Sequence, residues 1–150
     1  MIESKIANGK SSLILWMVGI LSLASLLCSC SGQGPKYKQY FAQGQVLYEK
    51  NCSNCHQKNG TGLGLLYPPL ASSDYLEKNF NLSLCLMKYG IKGELTVNGK
   101  NFNKPMPGVP SLTELELAEI ATYLGNAWGR QMGIVEITQV NAALTQCGMK

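Results

Sequence analysis

The sequence predicts a helical domain organised around one close-packed pair of helices, and three observations carry that expectation. Residues 39–51, QYFAQGQVLYEKN, place Phe41, Gly44, Leu47 and Tyr48 near helical spacing. Residues 111–129, SLTELELAEIATYLGNAWG, set Leu117, Ile120, Ala121 and Leu124 at i, i+3, i+4 and i+7, a single apolar stripe. Gly44 costs its helix about 1 kcal/mol relative to alanine, so it needs a packing reason. Close approach of the second helix supplies one.

The elements follow in chain order. Lys5 and Lys10 precede an uncharged apolar run over residues 11–27, the pattern of a secretory signal. An uncleaved membrane helix is the other reading of a run this long. The run ends in Leu27-Cys28-Ser29-Cys30, which resembles the lipid-attachment motif of bacterial lipoproteins, with Cys30 as the modified residue. Residues 1–29 are then a lipoprotein signal peptide, and residues 30–38 a lipidated cysteine with a Gly- and Pro-containing flexible tether. The domain is expected over 39–129 and a C-terminal tail over 130–150. Every one of these readings puts the domain on the periplasmic side of a bacterial membrane.

Within the domain, QKNGTGLGLLYPPLASSDY (57–75) is loop by its Gly and Pro content. A short helix is expected over 81–90, closed by Gly90. Asn98-Gly99 marks a hairpin-like turn, followed by an extended Pro-rich stretch to Pro110. Thr113 and Glu116 form a capping box for the helix over 111–129, which Gly125 or Gly129 can end. In the tail, Thr138 can cap a helix whose Val140, Leu144 and Cys147 share a face that must dock on the domain.

The chemistry sits in NCSNCHQ, residues 51–57, where Cys52 and Cys55 are followed at once by His56, the chain's one histidine. A zinc site wants four ligands, and no second Cys pair or distant His exists. A redox dithiol needs no adjacent His, and the strand–helix pattern expected around one is missing. Covalent haem c uses all three residues: both thiols add to the vinyl groups, and His56 supplies an iron ligand. Because no second His exists, the other axial ligand comes from elsewhere. Of Met87, Met106, Met132 and Met149, Met106 stands out because Pro105 and Pro107 hold it in a stiff, non-helical stretch. Met87 is expected in a helix, as core.

NCSNCHQ, YPPL, MPG and LAEIATYLGNAWG, in that order, resemble a single-haem class I cytochrome c over roughly residues 40–129. The resemblance implies an all-α fold with N- and C-terminal helices crossing beside one covalent haem c. It further implies that the carbonyl of Pro68 accepts a hydrogen bond from His56, and that Leu70 packs on the haem. TVNGKNF and YPPLASSDYL look closest to cytochrome c domains attached to dehydrogenases and reductases. The tail lies outside the resemblance.

Charge and composition exclude other classes. Without residues 1–29, thirteen basic and nine acidic residues become eleven and eight, an excess that two haem propionates would largely offset. The lysines are scattered, with no basic helix face for nucleic acid. No acid–base pair for catalysis on a small-molecule substrate is visible. The expected function is therefore electron transfer between redox proteins (a dehydrogenase, reductase or oxidase), with a membrane tether through Cys30. The alternatives are a subunit of a larger oxidoreductase, or a haem enzyme or sensor with an open iron site. Cysteine arithmetic adds one expectation: with Cys28 removed, Cys30 lipidated and Cys52 and Cys55 on haem, Cys85 and Cys147 remain to pair. Two unrelated buried thiols, or pairing between molecules, are the alternatives.

Overall fold

The computed structural model describes residues 33–147, together with residues 16 and 17. The expected signal cleavage, Cys28, Cys30 and Met149 lie outside the described residues. Among the described residues, no helix is long and apolar enough to cross a membrane.

Helix α1 spans Pro35–Asn51, so residues 35–38 join the helix and not the tether expected over 30–38. Proline suits a first helical turn, where its missing N–H has no partner to lose. Side chains consolidate the added turn: Lys36 pairs with Glu136 at 2.7 Å, and Tyr37 stacks on Phe41. A short α2 (Ser53–His56) follows directly and carries the histidine. After the loop come α3 (Asp74–Lys78), capped by Ser73, and α4 (Phe80–Tyr89), closed by Gly90 at φ 77°.

The fold is helix-rich, as expected, with a few small strands added. Four short strands form two antiparallel pairs, β1 (Gly90–Ile91) with β4 (Met106–Pro107) and β2 (Leu95–Val97) with β3 (Lys100–Phe102). Asn98 and Gly99 both take positive φ, 51° and 71°, as a two-residue hairpin turn demands. The prolines around Met106 forbid helix, and the extended backbone they leave pairs with the chain emerging from α4.

Helix α5 (Glu114–Asn126) starts at the Thr113–Glu116 capping box and ends before the expected 129. Gly125 stays inside it; the chain turns instead through Trp128 and Gly129, at φ 54° and 89°. The Asn126 amide bonds both the Gly133 carbonyl and its N–H, closing that turn. The stripe Leu117, Ile120, Ala121 and Leu124 is buried, and α5 packs against α1. At the crossing, a β-carbon on Gly44 would stand 2.0 Å from the Glu119 carbonyl oxygen, so only glycine admits the contact.

Helix α6 (Ile137–Cys147) closes the tail. Thr138 is not its cap: the helix begins one residue earlier, at Ile137, and the Gln139 side chain accepts the Glu136 N–H. Its face through Val140 and Ala143 is buried against α4 and α5, and Cys147 is joined to Cys85 with Cα atoms 5.8 Å apart.

Candidate haem site

Two apolar crevices meet on Cys52, His56, Met87 and Met106, which line both. Pro68, Leu70, Leu76, Val97 and Leu124 line one of them; Cys55, Pro107, Val109 and Ile120 line the other. Every residue expected to hold haem within the domain therefore borders the same space. Cys30 lies outside the described residues, and Cys85 and Cys147 sit on the α4–α6 contact, away from these walls.

Local backbone chemistry explains how His56 is aimed. Its N–H and that of Cys55 both return to the Cys52 carbonyl, so the motif is one tight helical turn. The turn ends at Gln57, with φ 63°, whose carbonyl accepts the Tyr48 hydroxyl at 2.5 Å. The loop then folds back on itself. Gly62 donates to the His56 carbonyl, while Leu70 and Ala71 donate to the Gly60 carbonyl. A β-carbon on Gly62 would lie 2.3 Å from the Tyr67 carbonyl oxygen, so the fold-back needs glycine there. Its product is a 2.9 Å hydrogen bond from His56 Nδ1–H to the Pro68 carbonyl. That bond fixes the tautomer and leaves Nε2 as the free lone pair. Burial pushes the imidazole pKa down, and the Pro68 bond only partly opposes this, which favours the neutral form a metal could bind.

The competing readings of the two thiols fail on this geometry. Burial, and then the neighbouring Cys55, push the Cys52 thiol up to about 11. At that value Cys52 carries little of the thiolate with which a redox dithiol attacks. Among the described residues, no group of three His, Cys, Asp or Glu side chains is placed to hold a metal ion. One buried imidazole, two half-buried unpaired thiols and a thioether on apolar walls fit a flat apolar macrocycle attached through sulfur. Cys52 and Cys55 would form the thioethers, and His56 and Met106 would face the iron.

Sequence reasoning missed three contributors. Tyr48 and Trp128 form an edge-on aromatic pair behind the loop, and the Trp128 ring fills the space a β-carbon on Gly60 would need. Met87, expected as core, is buried but also borders both crevices. Spacing alone does not separate core from crevice there, because α4 presents one face to both.

Comparison with known proteins gives the same answer. Residues 41–128 match the family described as "Cytochrome c". Two curated relatives, both cytochromes c-552 of Thermus thermophilus, are 32% identical over 92 residues. The match covers 59% of this chain and 70% or 62% of the relatives. The cytochrome c subunit of a quinone alcohol dehydrogenase from Gluconobacter oxydans is 30% identical over 89 residues, 57% of this chain and 18% of that protein. With the motif, the loop and the crossed helices in place, this chain belongs to the cytochrome c family, which binds haem c covalently and transfers electrons.

Proposed function

We propose that the chain is a single-haem electron carrier, tethered by a lipid on Cys30 to the periplasmic side of a bacterial membrane and passing one electron at a time between redox proteins. The observation that carries this reading is the convergence of His56 and Met106 on one apolar crevice beside Cys52 and Cys55. Haem supplies a reversible one-electron couple, and the protein's part is to hold it and choose its ligands. His56 is kept neutral and aimed by Pro68, and with Met106 it would hold the iron, leaving no position there for substrate. Methionine opposite histidine raises the potential relative to two histidines. Apolar walls exclude water and favour the less charged, reduced state.

The test is spectroscopic. Protein matured in a haem-attaching periplasm is expected to keep its haem after acid–acetone extraction and to show the far-red ferric band of methionine ligation. Cys52→Ala with Cys55→Ala loses all haem in that extraction. Met106→Ala keeps it but binds CO readily; if wild type binds CO equally well, an open-site sensor or enzyme is the better reading. Met87→Leu is expected to retain the far-red band, and its loss there would move the ligand to Met87. Membrane retention after a high-salt wash, with an intact mass that begins at an acylated Cys30, checks the tether.

A second reading, a cytochrome subunit of a larger oxidoreductase, is favoured by exposed Leu63, Leu65 and Leu66 on the loop after the haem motif. The likeness to the alcohol dehydrogenase subunit points the same way. Stable co-purification with a dehydrogenase, reductase or oxidase in mild detergent distinguishes it from a free carrier.

A further inference from the structure

Two stretches far apart in sequence line the same crevice: residues 68–76 contribute Ser73, Tyr75 and Leu76, and β2 contributes Leu95 and Val97. Ser73 and Val97 are each buried to 2% exposure. One position along the chain from these two, Ser72 and Asn98 are exposed and Asp74 is half-buried, and there the two stretches are tied together. The Asn98 N–H donates to Asp74 Oδ1 at 2.7 Å, and the Asp74 N–H donates to Asn98 Oδ1 at 3.0 Å. Asn98 Nδ2 donates to the Ser72 carbonyl at 3.1 Å. One amide side chain therefore grips the backbone groups on both sides of Ser73, and the pattern fixes which end of the amide faces which.

Backbone strain gathers at the same point. Among the described residues, four that are not glycine take positive φ, and two of them, Ser72 and Asn98, both at 51°, meet in this contact. Such strain persists where the surroundings over-determine it, and it clusters where geometry serves function. The hairpin has little else to hold it down. Its strands are three residues each, with Val97 and Phe102 buried, and a lone two-stranded hairpin is marginal in water. Its second strand runs on through residues 103–105 into Met106. We propose that Asn98 and Asp74 are positioning residues for electron transfer: their clasp holds the β2–β3 hairpin against residues 72–74, keeps water out of the crevice and keeps the segment leading to Met106 taut. The inference rests on the haem-carrier reading and adds to it two residues that line neither crevice. A closed apolar crevice favours the reduced state, so opening it lowers the potential and lets a small ligand compete with Met106.

The test uses the full chain matured with its haem, as wild type, Asn98→Gly, Asp74→Asn, Asp74→Ala and Thr96→Val. Three readouts are taken on folded protein: CO association with the ferrous form, the midpoint potential, and hydrogen exchange at the Val97 amide. Asn98→Gly keeps the positive φ of the turn and deletes two of the three bonds, so opening is expected to rise roughly five- to a hundredfold. Val97 exchange and CO association should quicken accordingly, and the potential should fall. Asp74→Ala moves all three in the same direction by less. Asp74→Asn keeps an acceptor oxygen for the Asn98 N–H and stays near wild type. Thr96→Val breaks the Thr96–Asn101 bond on the hairpin's exposed face without touching the clasp, and should leave CO association and potential unchanged. An Asn98→Gly protein that unfolds more easily yet keeps wild-type CO association and potential overturns the proposal, because the pair is then only structural. So does a Thr96→Val that reproduces Asn98→Gly. If Asn98→Gly does not accumulate, Asp74→Ala decides on the same three readouts. Failure of the haem-carrier reading would show in wild type, as extractable haem or free CO binding, whereas failure here shows only in the variants.

Discussion

Helices α1 and α5 are joined by a missing side chain; α4 and α6 are joined by a covalent bond. In the first pair, Gly44 lets the backbone of Glu119 into contact, and Phe41, Tyr48, Tyr123 and Trp128 pack with ring centroids 5.2 to 5.7 Å apart around it. Burial on both helices is extensive, and nine residues of α5 are buried. In the second pair, α6 buries only Val140 and Ala143. A fully buried valine contributes about 1.5–3 kcal/mol and alanine little, so that face alone holds α6 weakly. The Cys85–Cys147 bond adds a covalent tie. Shape matching suffices where two helices are long and apolar; a short amphipathic tail needs a staple.

The strongest way to break the first pair is Gly44→Leu. A β-carbon already falls 2.0 Å from the Glu119 carbonyl oxygen and 2.9 Å from the Tyr123 β-carbon, and backbone cannot step aside as a side chain can. The helices must separate, and with them the support behind Cys52 and His56. The expected outcome is loss of folded, haem-bearing protein, read by haem staining and circular dichroism. Val46→Leu, on the exposed side of α1, is the control and should fold normally. Normal accumulation of Gly44→Leu would show that the crossing is not what holds the site together.

Removing the staple should cost less. A cross-link over a sequence separation of 62 removes at most about 4 kcal/mol of unfolded-state entropy in the chain-entropy model. Cys85→Ala with Cys147→Ala is therefore expected to lower the midpoint of denaturant unfolding while leaving haem attached. The tail should also become the first site of proteolysis. Non-reducing peptide mapping of wild type should find Cys85 and Cys147 in one fragment pair. Alkylation of both without reductant would remove the staple from the comparison.

The first pair was legible because its signals are periodic. The stripe from Leu117 to Leu124, the Thr113–Glu116 box and an isolated helical glycine each name a face and an end. The haem motif was legible for a different reason: Cys52, Cys55 and His56 are contiguous, so spacing alone sets the chemistry. The short strands were only half visible. Asn98-Gly99 announces its own hairpin, but Ile91 meets Met106 across the chain, and no local rule reports a partner that distant. Thr138 failed as a cap because the helix already begins at Ile137, with Gln139 reaching back to the Glu136 N–H, a local contact that residue ranking does not resolve. Trp128 was invisible because its place depends on a left-handed turn at a residue that is not glycine.

The smallest expected effect comes from the ion pair that links the two helix pairs. Lys36, in the first turn of α1, gives both carboxylate oxygens of Glu136 hydrogen bonds of 2.9 and 2.7 Å just before α6 begins. Its ammonium also lies 5.4 Å from the centre of the Tyr40 ring. The hydrogen bond to Glu136 holds the Lys36 pKa above its ordinary value, against an opposing effect of desolvation. A cation with a raised folded pKa contributes stability below its unfolded pKa and loses it as pH rises through the folded one. The contact should therefore be intact at neutral pH and fade only in strong alkali. Both partners are solvent-exposed, so salt screens the pair and double-mutant coupling should be small. Lys36→Met and Glu136→Gln, alone and together, are expected to shift the thermal midpoint by little at low salt and by nothing measurable at high salt. A large, salt-resistant coupling would mean that the tail is clamped at both ends by strong contacts, and that the disulfide is not its main attachment.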